Sequence, residues 1–237
     1  MKKFPGFIVF GIVPLIAWGL GVSYASTLPA EITVQYDLSR NGSAMVEISE
    51  QFRHGNGRYR IDSEAKGKGI LALSNRGSIR RSSEGEIVAG GLRPTEFRDR
   101  RGNGPVSAAK FDWPGKRIVH EFDGRTETTD LKGGSTQDRL SFLWEFAFRS
   151  IPERNIAVLL ADGKGASQVR YRVVGREKLD TPVGVLDTLH IAKEQDAGDE
   201  RGTEIWFAVQ KNNLPVRLLV IEKDGTRLDQ IVTRILP

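Results

Sequence analysis

Short turn signals recur so closely along most of this chain that long helices have no room between them. Asn41-Gly42, Gly55-Asn56-Gly57, Gly90-Gly91, Pro114-Gly115, Asp123-Gly124, Asp162-Gly163, Asn212-Asn213 and Asp224-Gly225 cut the sequence into hairpin-length pieces. Glycine and asparagine accept the positive φ angles that tight hairpin turns demand. Between the turns the apolar residues alternate. Ile32, Val34, Tyr36 and Leu38 share one face while Thr33, Gln35 and Asp37 take the other, and Tyr59 and Ile61 alternate with Arg58, Arg60 and Asp62. This period of two is the mark of strands with one buried face and one wet face. Twenty-six glycines among 237 residues exceed the roughly 7% of an average chain, and those inside strands can supply kinks or bulges.

One segment departs from this rhythm. After Gly133-Gly134, Ser135 or Thr136 can cap a helix that carries Asp138 in its first turn and runs to about Ser150, before Pro152. Leu140, Leu143, Trp144, Ala147 and Phe148 fall on one stripe of that helix, with Phe142 and Phe146 on another side. Aromatic residues on more than one side imply a helix enclosed by sheet. The expected fold class is therefore mainly β: a strongly curved antiparallel sheet, or an open or half barrel. Its one main helix, about 136–150, packs on or in the concave face.

The N-terminus reads as an address. Lys2 and Lys3 precede the uncharged stretch Phe4–Val22, and Ser23 and Ala25 place small residues where a signal peptidase reads. The expectation is a cleaved signal peptide over 1–25 and a single β-rich domain over 26–237, with an uncleaved N-terminal anchor as the rival reading. Cysteine is absent, which removes disulfides, thiolate nucleophiles and cysteine metal sites. A short basic leader and a chain without cysteine fit a bacterial periplasm, with a secreted form as the alternative, and ATP and nicotinamide cofactors are not kept in either place. No cofactor is expected.

Catalytic signals are weak. Serine hydrolases need a base, most often histidine, and His54, His120 and His190 each lie in a turn or strand without a Gly-x-Ser-x-Gly elbow. The same three histidines are too scattered for a zinc motif, and the acidic cluster Glu194, Asp196, Asp199, Glu200 and Glu204 fits no calcium loop, so no metal is expected. Formal net charge is only +5, too small to mark a nucleic-acid binder. Its distribution is uneven: Arg53–Arg101 holds twelve basic against six acidic residues. Arg80, Arg81, Arg98, Arg100 and Arg101 are thus candidates for an anionic partner in the envelope, or simply for solvated strand faces that discourage aggregation.

The last third carries a recognisable pattern: Thr181-Pro182-Val183-Gly184-Val185-Leu186-Asp187-Thr188-Leu189-His190, then Thr203-Glu204-Ile205-Trp206-Phe207-Ala208, Asn213-Leu214-Pro215-Val216-Arg217 and Glu222-Lys223-Asp224-Gly225. It resembles the bacterial family catalogued as domain of unknown function 3108, and Gln137-Asp138-Arg139-Leu140-Ser141 is similar to that family's central segment. The resemblance implies an exported envelope protein and supplies no catalytic residue. By looser fold analogy, an exported half barrel with a capping helix is similar to periplasmic carriers that hold acyl chains in an apolar hollow.

The expected role is a noncatalytic periplasmic protein that binds an amphiphile or an envelope protein. Phe142, Leu143, Trp144, Phe146 and Phe148 are the expected apolar lining, with Trp113 and Trp206 as further candidates. Two alternatives stand beside it: a scaffold that binds envelope proteins or anionic polymers through the arginine-rich half, and an unfamiliar envelope hydrolase with a buried carboxylate or histidine in a cleft.

Overall fold

The computed structural model describes residues 28–69, 78–131, 134–195 and 201–237. The leader expected over 1–25 and Asp196, Asp199 and Glu200 of the acidic cluster lie outside the described residues.

Among the described residues, the alternation read from the sequence becomes fifteen strands in one sheet. The first half is a meander of β1 (Glu31–Arg40), β2 (Ser43–Gly55), β3 (Arg58–Gly67), β4 (Ile79–Val88), β5 (Gly91–Arg101), β6 (Val106–Asp112), β7 (Arg117–Phe122) and β8 (Arg125–Asp130). A short β9 (Ser135–Asp138) leads through a helical turn to β10 (Asn155–Asp162). The second meander continues with β11 (Gly165–Thr181), β12 (Gly184–Lys193), β13 (Gly202–Ala208), β14 (Leu214–Ile221) and β15 (Arg227–Leu236). β15 pairs antiparallel with β1, so the spatial order runs without a break from β8 back to β1, across to β15 and down to β9.

Local chemistry sets these turns. Asn41-Gly42, Asn56-Gly57 and Asp123-Gly124 all have φ near +50° at the first residue and between +71° and +84° at the glycine. Two successive positive φ values are what a two-residue hairpin of the right twist requires. Gly85 answers a different need: a Cβ there would stand 2.2 Å from the Arg93 carbonyl oxygen and 2.9 Å from the Tyr59 ring. It sits where the β4–β5 register slips, between Glu84 and Gly85, and the close approach lets the sheet bend.

The bend brings the two ends of the sheet together through side chains. From β9, the Asp138 carboxylate accepts a hydrogen bond from the Ser83 hydroxyl of β4 at 2.6 Å, and the Gln137 side-chain amide donates to the Leu92 carbonyl of β5 at 2.8 Å. Across the same seam His120 of β7 donates from Nδ1 to the Asp162 carbonyl at 2.6 Å, and its Nε2 accepts from Thr129 at 3.0 Å. The result is the mainly β, strongly curved open sheet expected from the sequence, with the concave face as core. Val34, Phe52, Ile61, Phe97, Ile118, Val158, Ile191, Phe207, Val216 and Val232 are fully enclosed on it.

The helix is shorter than its sequence period suggests. Only Ser141–Trp144 is α-helical, followed by one 3-10 turn over Glu145–Ala147. Residues 135–138 are strand, parallel to β10 with Val158 opposite Ser135 and Ala161 opposite Asp138. Asp138 opens the helical turn from inside the strand: its carboxylate accepts the backbone N–H groups of Leu140 and Ser141 at 2.8 and 2.9 Å. Neither Ser135 nor Thr136 caps a helix. The segment's aromatic content packs in the concavity as expected, so Phe142, Trp144 and Phe146 are each at most 2% exposed.

Candidate functional site

Five of the seven expected lining residues meet in the centre of the concave face and are consumed by packing, chiefly against rings of the surrounding strands. Trp144 stacks on Phe52 with ring centroids 5.0 Å apart, and Phe148 packs on Phe52 at 5.3 Å and on His54 at 5.5 Å. Phe142 stacks on Tyr171 at 5.1 Å, and Phe146 meets Phe207 edge-on at 5.0 Å. Leu143 is buried beside them. Trp113 stacks on Phe111 and donates to the Pro94 carbonyl at 2.7 Å. Trp206 lies on the opposite, convex face. These seven residues line none of the three clefts described below, because the helical turn fills the hollow it was expected to border.

The same centre holds three buried carboxylates. Glu50 accepts from Trp144 Nε1 at 3.0 Å and from Ser63 at 3.3 Å; burial raises its pKa, and these two bonds and the nearby Arg81 oppose the rise. Asp138 is likewise pushed up by burial, against the hydrogen bonds from Ser83, Ser141 and Leu140. Glu145 is pushed up to about 7 by burial, with Arg149 and Gln137 pulling the other way. Glu50 and Asp138 are tied to residues far away in the chain, Glu145 to Gln137 and Arg149 beside it, and none of the three borders the clefts. They lock the helical turn in place.

The histidines are also occupied. His54 Nε2 faces two carbonyl oxygens, of Leu28 at 3.3 Å and Pro29 at 3.0 Å, and so carries the proton. On the convex face His190 is flanked by Glu204 at 2.8 Å from Nε2 and Glu177 at 3.4 Å from Nδ1. It stacks on Trp206 with centroids 4.2 Å apart, and Arg217, paired with Asp229 at 2.7 Å, covers Trp206 at 4.7 Å. The Trp206 indole N–H donates to Glu177. The two carboxylates approach opposite edges of the imidazole and so do not converge with it on one metal position. This convex stack is built from the recognised segments that contain His190, Trp206 and Arg217, and it pins β11 to β13.

The five arginines do not form one patch. Neighbours in a strand point to opposite faces, and the register puts Arg81 opposite the buried Ser63 and Arg101 opposite Ile79, while Arg80 and Arg100 face each other on the convex side with Arg98. Carboxylates hold most of them: Arg80 by Glu64 at 3.0 Å, Arg81 and Arg101 by Asp99 at 3.4 and 3.8 Å, and Arg98 by Glu96 at 2.9 Å. Arg100 donates to the Gly104 carbonyl.

Among the described residues three clefts stand out. Arg53, His54, Arg58, Tyr59, Arg60, Glu84, Glu86 and Thr95 border one of about 390 Å³, and a second of the same size lies between Arg176, Glu177, Lys178, Asp187, Thr188 and Gln210. Both are bordered mainly by charged and polar side chains. The third differs. It measures about 880 Å³ and lies where the β1–β2 and β14–β15 hairpins end, walled by Leu38, Met45, Val46 and Leu228 and rimmed by Arg40, Glu222, Lys223, Asp224 and Thr226. Leu38 and Val46 stand opposite each other on the same face as the buried Tyr36 and Ile48. The cleft is therefore the open end of the concave face. Asn41 accepts the Arg227 N–H and donates its own N–H to the Arg227 carbonyl, both at 2.9 Å, which fixes the two hairpins side by side. Sequence alternation marks Leu38 as core-facing, but no local signal brings Leu228 beside Arg40.

A family model described as protein of unknown function, DUF3108, matches residues 31–231, all but the first and last few described residues. The chain belongs to the DUF3108 family. No curated protein matches it. Among solved structures, this DUF3108 chain is similar to a β-barrel-like protein of domain of unknown function DUF1849 from Brucella abortus, with a TM-score of 0.55 and 11% identity over 87% of this chain and 97% of that one. A likeness at that identity extends to fold alone. A Bacteroides fragilis protein of YmcC-like fold, named as a candidate exported protein, aligns over 89% and 97% of the two chains at a TM-score of 0.37 and 9% identity. A candidate lipoprotein from Parabacteroides distasonis aligns over 88% and 96% at 0.35 and 9%. Among the described residues of the DUF3108 chain no helix is long and apolar enough to cross a membrane.

Proposed function

We propose that this DUF3108 protein is a noncatalytic periplasmic binding protein that holds an apolar ligand at the open end of its concave face. The observation that carries the reading is the cleft of about 880 Å³ walled by Leu38, Met45, Val46 and Leu228. Its size falls within the roughly 300–1,000 Å³ of ordinary small-molecule sites. An apolar wall that stays partly exposed costs free energy which a ligand recovers, at about 25 cal/mol per Å² of surface removed from water. Export rests on the Lys2-Lys3 leader and the absence of cysteine. The interior carboxylates and the histidines are engaged by structural partners, which favours binding over hydrolysis, and the division of the arginines between two faces favours the cleft over a polyanion surface.

Mass spectrometry of the protein purified natively from its own envelope tests this reading. A stoichiometric amphiphile that disappears in a Val46→Asp variant is the expected result, and repeated recovery of empty wild-type protein overturns it.

A further inference from the structure

The rim of the cleft carries a headgroup signal. Along β1 the concave face reads Ile32, Val34, Tyr36, Leu38, Arg40, an apolar row that ends in a guanidinium where the strand reaches water. Arg40 stands opposite Leu228 of β15 and Ser43 of β2 and lines the cleft. The two acids on the same rim are already engaged. Glu222 pairs with Arg201 at 3.1 Å, and the Asp224 carboxylate accepts the Thr226 N–H at 2.9 Å, which holds its pKa below the usual range. Arg40 adds a smaller through-space pull on Asp224, yet among the described residues its side chain makes no hydrogen bond or ion pair.

An uncommitted guanidinium at the mouth of an apolar wall has a defined complement. Arginine presents a planar fork of donors that matches carboxylate and phosphate oxygens. Among the described residues, the wall below it offers aliphatic carbons and a thioether, without an aromatic platform or a buried donor that would orient a ring. Flexible, unbranched chains suit such a wall, since methionine and leucine side chains adapt to them.

We infer that the ligand is a single-chain amphiphile with one anionic headgroup, its acyl chain against Leu38, Met45, Val46 and Leu228 and its phosphate or carboxylate on Arg40. This rests on the binding role proposed above and names the ligand class of that site.

The test uses the mature protein, with binding followed by native mass spectrometry and calorimetry below the micellar concentration. The probes are a lysophosphatidylglycerol, a monoacylglycerol of the same chain, and glycerol 3-phosphate. The lysophospholipid binds about tenfold more tightly than the monoacylglycerol, the scale of one charge-assisted hydrogen bond. Arg40→Gln, at an exposed position, removes that advantage and leaves monoacylglycerol binding unchanged. Glycerol 3-phosphate alone does not bind. Equal affinity for the two lipids in wild type and Arg40→Gln overturns the headgroup assignment and leaves the apolar site standing. Tight binding of glycerol 3-phosphate overturns the assignment of the chain to the wall. Binding of neither lipid overturns both this inference and the proposed role.

Discussion

Replacing Glu145 by glutamine should change how stability depends on pH, by an amount the structure sets. Glu145 is 1% exposed, accepts from Gln137 Nε2 at 2.9 Å and pairs with Arg149 at 2.9 Å, and its pKa rises from 4.5 to about 7 because burial outweighs those contacts. The folded protein thus holds this proton more tightly than the unfolded chain does. Below the unfolded value both states are protonated and the group's full contribution is present. As pH rises through the window from 4.5 to about 7 the unfolded chain ionises first, so stability falls, and the loss is complete above the folded value. At about 1.4 kcal/mol per pKa unit the shift corresponds to a change on the order of 3 kcal/mol across the window. Glutamine keeps the shape and the contact with Gln137 but cannot ionise, and Arg149, 24% exposed, can turn to water. Urea unfolding of wild type and Glu145→Gln from pH 4 to pH 8 checks this. Glu50 and Asp138 titrate in both proteins and cancel in the difference, which should move in favour of the variant as pH rises. A difference that stays constant within about 0.5 kcal/mol across the series refutes the assignment.

Three further substitutions test the frame. Gly85→Ala places a methyl group 2.2 Å from the Arg93 carbonyl and should cost about 2 kcal/mol or more in urea unfolding, whereas Gly90→Ala, with open space around it, should be nearly neutral. Trp144→Phe removes the indole donor from buried Glu50 and should destabilise by about 2–4 kcal/mol; a double-mutant cycle with Glu50→Gln should recover part of that, and full additivity would show that the bond is idle. Trp206→Leu breaks the convex stack between His190 and Arg217 and should cost about 2–3 kcal/mol while leaving amphiphile affinity unchanged; loss of binding in the folded variant would place function on the convex face instead.

What the sequence disclosed followed the range of the interactions involved. Hairpin turns depend on two residues, so Asn41-Gly42, Asn56-Gly57 and Asp123-Gly124 were legible, and with them the strands on either side. The extent of the helix was not, because residues 135–138 are held by β10, by Leu92 and by Ser83, partners 23 to 55 positions away that no local period reports. The arginines are an instructive middle case. Arg80 with Arg81, and Arg100 with Arg101, are adjacent in strands and must point to opposite faces, so alternation alone divides them; counting charge by segment hid this. The recognised pattern in the last third proves to be mainly architectural: His190, Trp206 and Arg217 stack side by side, each on its own strand. The cleft was least accessible, since it exists only because β15 returns to pair with β1 and sets Leu228 beside Arg40.

The proposed position of the ligand follows from comparing what each part of the concave face would have to give up. A guest in the centre must displace Trp144, Phe142 or Phe146, each at most 2% exposed and stacked on a neighbouring ring, at a cost of about 3–5 kcal/mol per aromatic lost from its packing. It must also separate Glu50 or Asp138 from hydrogen-bond partners while both remain buried, a further penalty of about 1–3 kcal/mol for each unpaired group. An acyl chain gains only about 0.8 kcal/mol per buried CH₂, so much of its length would be spent before any net affinity appeared. At the hairpin end no core side chain has to leave, because Leu38, Met45, Val46 and Leu228 already border open volume and the ligand replaces water alone. On the proposed reading, the aromatic turn that the sequence marks as a ligand wall is instead the packed floor beneath the mouth.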